Sequence, residues 1–162
     1  MSRLLSLWCA LLTALGLPAC DAYNLRALQP GVSTAAEVRE RLGPPQVEWP
    51  NADGSVTWEY SRQPEGVECY MITLGTDGIL RGVEQVLNEA GFARVQPGMS
   101  GDEVLRLLGR PATRQFFELK GEAMWSWLIE RSTVVTDRTY FTVSFDRAGQ
   151  VTGTGRNVIP KN

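Results

Sequence analysis

The chain has no histidine among its 162 residues and only three cysteines. Without an imidazole it lacks the side chain that most often moves protons near neutral pH. It also lacks the commonest nitrogen ligand for metals. Cys9 and Cys20 fall within the first twenty residues, so Cys69 stands alone in the body of the chain. With Cys9 leaving in an export signal and Cys20 consumed by acylation, as the N-terminal residues lead one to expect, no intrachain disulfide framework and no cysteine-based metal site is expected. A lone cysteine in a strand reads as a small apolar residue. Basic residues form no block: sixteen are interspersed among eighteen acidic ones, for a net charge of −2. A nucleic-acid footprint needs clustered positive charge, so no nucleic-acid partner is expected. There is no Gly-rich phosphate loop, and the carboxylates and hydroxyls are scattered. An enzyme is therefore not expected, nor a cofactor, a metal or a small-molecule substrate. No Ser/Gly/Pro-rich spacer divides the chain, whose length suits one ordinary domain or two small ones.

What is present begins with one long apolar run, residues 4–15, preceded by Arg3. At about twelve residues the run is too short to span a bilayer and fits an export signal over residues 1–19. Leu17-Pro18-Ala19-Cys20 resembles the bacterial lipobox, which implies cleavage before Cys20 and acylation of that cysteine. Acyl chains hold a protein on a membrane without any spanning helix. Residues 20–27 would then be a lipidated tether, with Tyr23 and Leu25 packing back on the body.

The body uses one short stretch twice. Leu28-Gln29-Pro30-Gly31 recurs as Val95-Gln96-Pro97-Gly98, offset by 67 residues. From Thr34 and Ser100 onward the offset is 66, so one residue dropped out of the loop while the helix stayed whole. Thr34 and Ser100 each precede a glutamate by three positions, Glu37 and Glu103, the pattern of a reciprocal capping box. Val38 and Leu42, like Val104 and Leu108, share a helix face. Gly43 and Gly109 stand where a left-handed residue ends a helix, and Pro45 and Pro111 prevent continuation. Each helix has about two turns, too short to stand alone in water. The glycines and prolines of the copies are backbone devices, and Glu37 and Glu103 are capping groups rather than catalytic carboxylates.

Strand-like segments follow each helix. In residues 56–61 Val56, Trp58 and Tyr60 alternate with Thr57, Glu59 and Ser61, as in a half-buried antiparallel strand. Residues 68–74 place Tyr70, Ile72 and Leu74 on one face and Cys69, Met71 and Thr73 on the other. Asp77-Gly78 is a hairpin signal leading to a strand at 79–85; the unit has three main strands, and the stretch around Val47 leaves a fourth open. Residues 86–92 read as a helical turn joining the halves. The second half repeats the pattern with strands at 113–119, 123–131, 139–146 and 150–154. Trp58, Tyr60, Trp125 and Trp127 are expected as core anchors. The opposite face, with Glu59, Arg62, Cys69, Met71 and Thr73, and then Ser126, Glu130, Thr142 and Ser144, is the expected exposed surface. The fold class is α+β, two tandem units of short helices on a three- or four-stranded antiparallel sheet. The units span residues 28–85 and 86–155, and residues 156–162 form a loose tail.

The second unit carries Pro97, Gly98, Met99, Ser100, Glu103, Val104, Leu108, Gly109, Pro111, Trp125, Phe145, Asp146 and Gly149. In that order they resemble the SmpA/OmlA family, also called BamE. The first unit matches at Pro30, Gly31, Glu37, Val38, Leu42, Gly43, Pro45, Trp58, Asp77 and Gly78, and departs at Val32 and at Leu74-Gly75. The resemblance implies a lipoprotein on the periplasmic face of the outer membrane whose partners are other outer-membrane assembly proteins. Its role would be to assist insertion of β-barrel proteins. Asp21, after the acylated cysteine, resembles a signal for retention at the inner membrane. A second class of function is an inhibitor or protein-binding module, because the tandem α+β architecture is similar to that of the β-lactamase inhibitor proteins.

Overall fold

A computed structural model describes residues 24–132 and 137–160. Cys20 and the expected leader therefore lie outside the described residues, as does Tyr23. Each copy of the repeated stretch opens a helix. In α1 (Ala35–Leu42) the Thr34 side chain accepts from the Glu37 backbone N–H at 3.2 Å. In α3 (Gly101–Leu108) the box is reciprocal, Glu103 Oε2 accepting from both the backbone N–H and the hydroxyl of Ser100 at 2.8 Å. The first copy departs from expectation here: the Glu37 carboxylate pairs with Arg41 at 3.0 Å. An arginine four residues on competes for a carboxylate that the second copy, with Leu107 there, leaves to the cap.

Both helices end on a glycine, but not in the left-handed helical region that the sequence suggested. Gly43 (φ 80°, ψ −171°) and Gly109 (φ 73°, ψ −171°) are extended at positive φ, a region essentially reserved for glycine. Their carbonyls are held alike in the two copies. The Tyr60 hydroxyl donates to Gly43 O at 2.9 Å, and Trp127 Nε1 donates to Gly109 O at 3.0 Å.

Four strands follow each helix. The first sheet is β1 (Val47–Pro50), β2 (Val56–Ser61), β3 (Cys69–Leu74) and β4 (Leu80–Gln85), antiparallel and in sequential order. After α2 (Glu89–Ala93) and α3, the second sheet is β5 (Thr113–Phe117), β6 (Glu122–Arg131), β7 (Arg138–Phe145) and β8 (Val151–Ile159), in the same order. Each helix start is pinned to its fourth strand in the same way. Thr34 bridges Ile79 and Ser100 bridges Gln150, while Gly31 N donates to Leu80 O and Gly98 N to Val151 O, both at 2.8 Å. The halves are thus two copies of one α+β unit. Strand β8 runs to Ile159, so the expected loose tail from residue 156 is instead ladder, paired with Arg138–Phe141 of β7.

Layering decides what each face meets. Val38 packs with Trp58, Tyr60, Ile72, Leu74 and Leu80 in the first core. Val104 and Leu108 pack on Trp127, Phe141, Val143, Phe145 and Val151 in the second. That second core also contains Cys69 and Met71 from β3, together with Val86, Leu87 and Phe92 from the connection. Sheet one is therefore covered on both faces, by α1 on one side and by the second unit on the other. This corrects the expected exposed surface, since Glu59 and Cys69 are fully buried and Met71 nearly so. In sheet two, Ser126 and Thr142 are also buried, whereas Glu130 is exposed and Ser144 half-buried.

A side-chain amide extends each sheet in place of a strand. In unit one the Gln46 amide bonds both backbone groups of Ser61, at 2.6 and 3.0 Å. Leu128 occupies the corresponding place in unit two, where Ala112 stands for Gln46 and has no amide to offer. Gln63, reaching across from unit one, bonds Leu128 N and O instead, at 2.9 and 2.8 Å. Buried backbone groups need partners wherever a ladder stops, and here the partner comes from the other unit.

Candidate interaction surface

The residues singled out in the sequence divide between scaffold and surface. Gly31, Gly43, Gly98 and Gly109 adopt positive φ, and Pro45 and Pro111 lie just past the helix ends. Trp58 and Trp127 are buried in the two cores. Trp125 is different: it is half-buried and lines a cleft of ≈ 520 Å³ in unit two. Helix α3 supplies Leu105 to this cleft, β5 supplies Arg114 and Phe116, and β7 supplies Phe145. Clefts of a few hundred cubic ångströms with apolar walls are the usual form of a binding site.

In unit one an arginine covers the equivalent tryptophan, and the aligned copies say why. Arg39 occupies the position of Leu105, and its guanidinium lies 4.3 Å from the Trp58 ring centroid, held by Glu48 at 2.7 Å. In unit two Arg114 takes the position of Glu48 and stacks on Trp125 from the strand side at 4.1 Å. The cation over the tryptophan is kept, but it comes from the strand, and the helix position is left apolar. Gly101 makes room for the ring, since a Cβ there would stand 2.8 Å from Trp125 Cη2. Beside the cleft the hairpin exposes Phe116 at 58 %, Phe117 at 41 % and Leu119 fully. Exposed large apolar residues clustered on one hairpin mark a contact surface. Leu105, Arg114 and Phe116 were not singled out by sequence reasoning. The signal was there in the aligned copies, as an apolar residue standing where the other copy has Arg39 or Pro50.

A second groove, ≈ 390 Å³, lies between the units, with Thr57, Thr73 and Met71 on one side and Arg94, Arg106 and Leu107 on the other. Both arginines are engaged. Arg94 pairs with Glu84 at 3.0 Å, and Arg106 donates to Pro50 O at 3.0 Å while lying 5.1 Å from the Trp49 ring. Their charge is spent on joining the units.

Behind that groove lies a buried polar cluster. The Glu59 carboxylate accepts from Arg110 N at 2.8 Å and from Trp49 Nε1 at 3.1 Å. Burial raises its pKa, and these two hydrogen bonds and the Arg110 charge only partly oppose that. Beside it, burial and then the Glu59 charge push the Cys69 thiol up to about 12. A thiol so held is a packing group and not a nucleophile. Among the described residues no three His, Cys, Asp or Glu side chains gather as a metal site, and no helix is long and apolar enough to cross a membrane.

The family model described as the outer membrane protein assembly factor BamE domain matches residues 84–155. A solved structure of the osmotically inducible lipoprotein OsmE is 35% identical, over 42% of this chain and 68% of its own, with a TM-score of 0.35. YjgB, a DUF4309 protein from Bacillus subtilis subsp. subtilis str. 168, is 14% identical over 83% of both chains, with a TM-score of 0.31. No curated protein matches the chain.

Proposed function

We propose, for a chain that belongs to the BamE family through residues 84–155, that it is a lipid-anchored accessory of outer-membrane protein assembly. On this reading residues 1–19 are the export signal, Cys20 is acylated, and residues 20–27 tether the two units to the periplasmic face of the outer membrane. The second unit contacts the assembly proteins and the first is the platform that positions it. The observation that carries the reading is the open apolar cleft around Leu105, Phe116 and Trp125. It lies in the unit that the family model matches, and in the other unit Arg39 covers the equivalent tryptophan.

The test is photocrosslinking in intact cells from a reactive group placed at Leu119, which is fully exposed beside the cleft. Barrel-assembly components are the expected adducts. Leu105→Arg, which copies Arg39, should reduce their yield roughly tenfold, the loss that about 1.4 kcal/mol of contact represents. Adducts confined to soluble periplasmic hydrolases would sink this reading and favour an inhibitor module. The anchor has its own test, in which Cys20→Ala is expected to move the protein from the membrane to the soluble fraction. Unchanged fractionation would remove acylation from the account.

A further inference from the structure

The two sheets differ at their first strands, and the difference concerns association. An edge strand offers unpaired backbone groups to any other strand, and proteins that need to stay apart block such edges with proline or brevity. Strand β1 does both, being four residues long and ending on Pro50. Strand β5 does neither: it is five residues long, every residue is exposed, and Phe116 stands in the position of Pro50. No described strand pairs with its outer edge.

We propose that β5 pairs antiparallel with β5 of a second copy of this chain, about a two-fold axis at Gln115. A two-fold contact must be self-complementary, and this register is. Gln115 faces Gln115 of the second copy, an amide that both donates and accepts. Arg114 faces Phe116 of the second copy, so its aliphatic stem covers that ring while its guanidinium leans back over Trp125. Thr113 faces Phe117 of the second copy. At each end Glu118 comes diagonally beside Arg110 of the second copy, opposite charges in reach of each other. Neither side chain is engaged in an ion pair among the described residues. The pairing buries Phe116 and Phe117, joins two four-stranded sheets into one of eight strands, and leaves both α3 clefts on the same face. This goes beyond the assembly role, which a single copy would equally serve.

The register makes the test specific, because a residue on the axis meets itself. Directly opposed Cα atoms in an antiparallel pair lie about 4.5–5.5 Å apart, within disulfide reach. In the full lipidated chain, Gln115→Cys should form a disulfide-linked dimer in cells. Thr113→Cys or Phe117→Cys alone should not, but cells expressing both should yield the mixed dimer. Without any added cysteine, sedimentation of the detergent-extracted protein should show a concentration-dependent dimer. Phe116→Lys should abolish it, Glu118→Arg should weaken it several-fold, and Glu118→Arg with Arg110→Glu should restore it. A monomer at every concentration, or Gln115→Cys crosslinking no better than Thr113→Cys, would overturn the proposal. Either result would leave the crosslinking of assembly proteins through the cleft untouched.

Discussion

Gly109→Ala is expected to destabilise the protein by about 2–6 kcal/mol, and the equivalent change at Gly43 by only about 1–3. The two glycines share a backbone conformation, with φ of 73° and 80° and ψ of −171° at both, so the strain of adding a Cβ is common to them. What differs is the space. Nothing lies within 4 Å of a Cβ built on Gly43. A Cβ on Gly109 would stand 2.5 Å from Cys69 Sγ and 3.0 Å from Glu59 Oε1, both fully buried and unable to give way. Overpacking of that kind adds about 1–3 kcal/mol to the strain. Urea or thermal unfolding measures the difference, at roughly 4 °C per kcal/mol for a domain of this size. Thiol labelling of Cys69 supplies a second readout: Gly109→Ala should accelerate it by loosening the joint between the units, and Gly43→Ala should not. Equal costs at the two glycines would mean that sheet one does not pack on the end of α3.

At Glu59, replacement by leucine should cost about 1–3 kcal/mol for each of Arg110 N–H and Trp49 Nε1–H that is left buried without an acceptor. Glu59→Gln keeps one acceptor oxygen and should fall between leucine and the parent. The pH dependence has a definite sign. Burial holds the folded-state pKa above the 4.5 of an unperturbed glutamate, so the folded protein binds this proton more tightly than the unfolded chain does. The stability it confers is complete below pH 4.5 and is lost as pH rises through the raised folded value. Denaturation midpoints collected from pH 4 to neutrality should therefore show a falling contribution that disappears in Glu59→Gln. A parent and variant with parallel profiles would place this carboxylate in water. Its role is positional: it ties β2 to the residue after the glycine that ends α3, across the joint.

The units were legible because their instructions are local. Capping hydroxyls, terminating glycines and period-two alternation act within ten residues, which is why both repeated helices and seven of the eight strands were foreseeable from spacing, while the strand at Val47–Pro50 was left open. The misreadings share a cause. Alternation separates Trp58 and Tyr60 from Glu59, and Ile72 from Cys69 and Met71, but it says nothing about what covers the more polar side. Water was the simplest assumption for that face, and the second unit is what lies there. The paired ends of β7 and β8 were likewise set by the ladder between them, whereas the half-formed cap at Glu37 was set by Arg41 within the same helix, a local competitor that the capping pattern does not weigh.

By itself, the amino-acid order determined the duplicated unit, its secondary structure, the inner face of each sheet and the resemblance on residues 95–149. Only the tertiary structure decided that α3 lies between two sheets, that Glu59 and Cys69 are buried beside Gly109, and that Gln63 completes a ladder in the other unit. It also decided that unit two holds the open cleft while Arg39 covers the equivalent tryptophan in unit one. The physical reason is range: caps and periodicity are written in neighbouring residues, whereas docking joins groups some fifty to sixty-five positions apart, such as Glu59 with Arg110 and Gln63 with Leu128. Such pairs leave no local mark and meet only when two finished surfaces exclude the water between them.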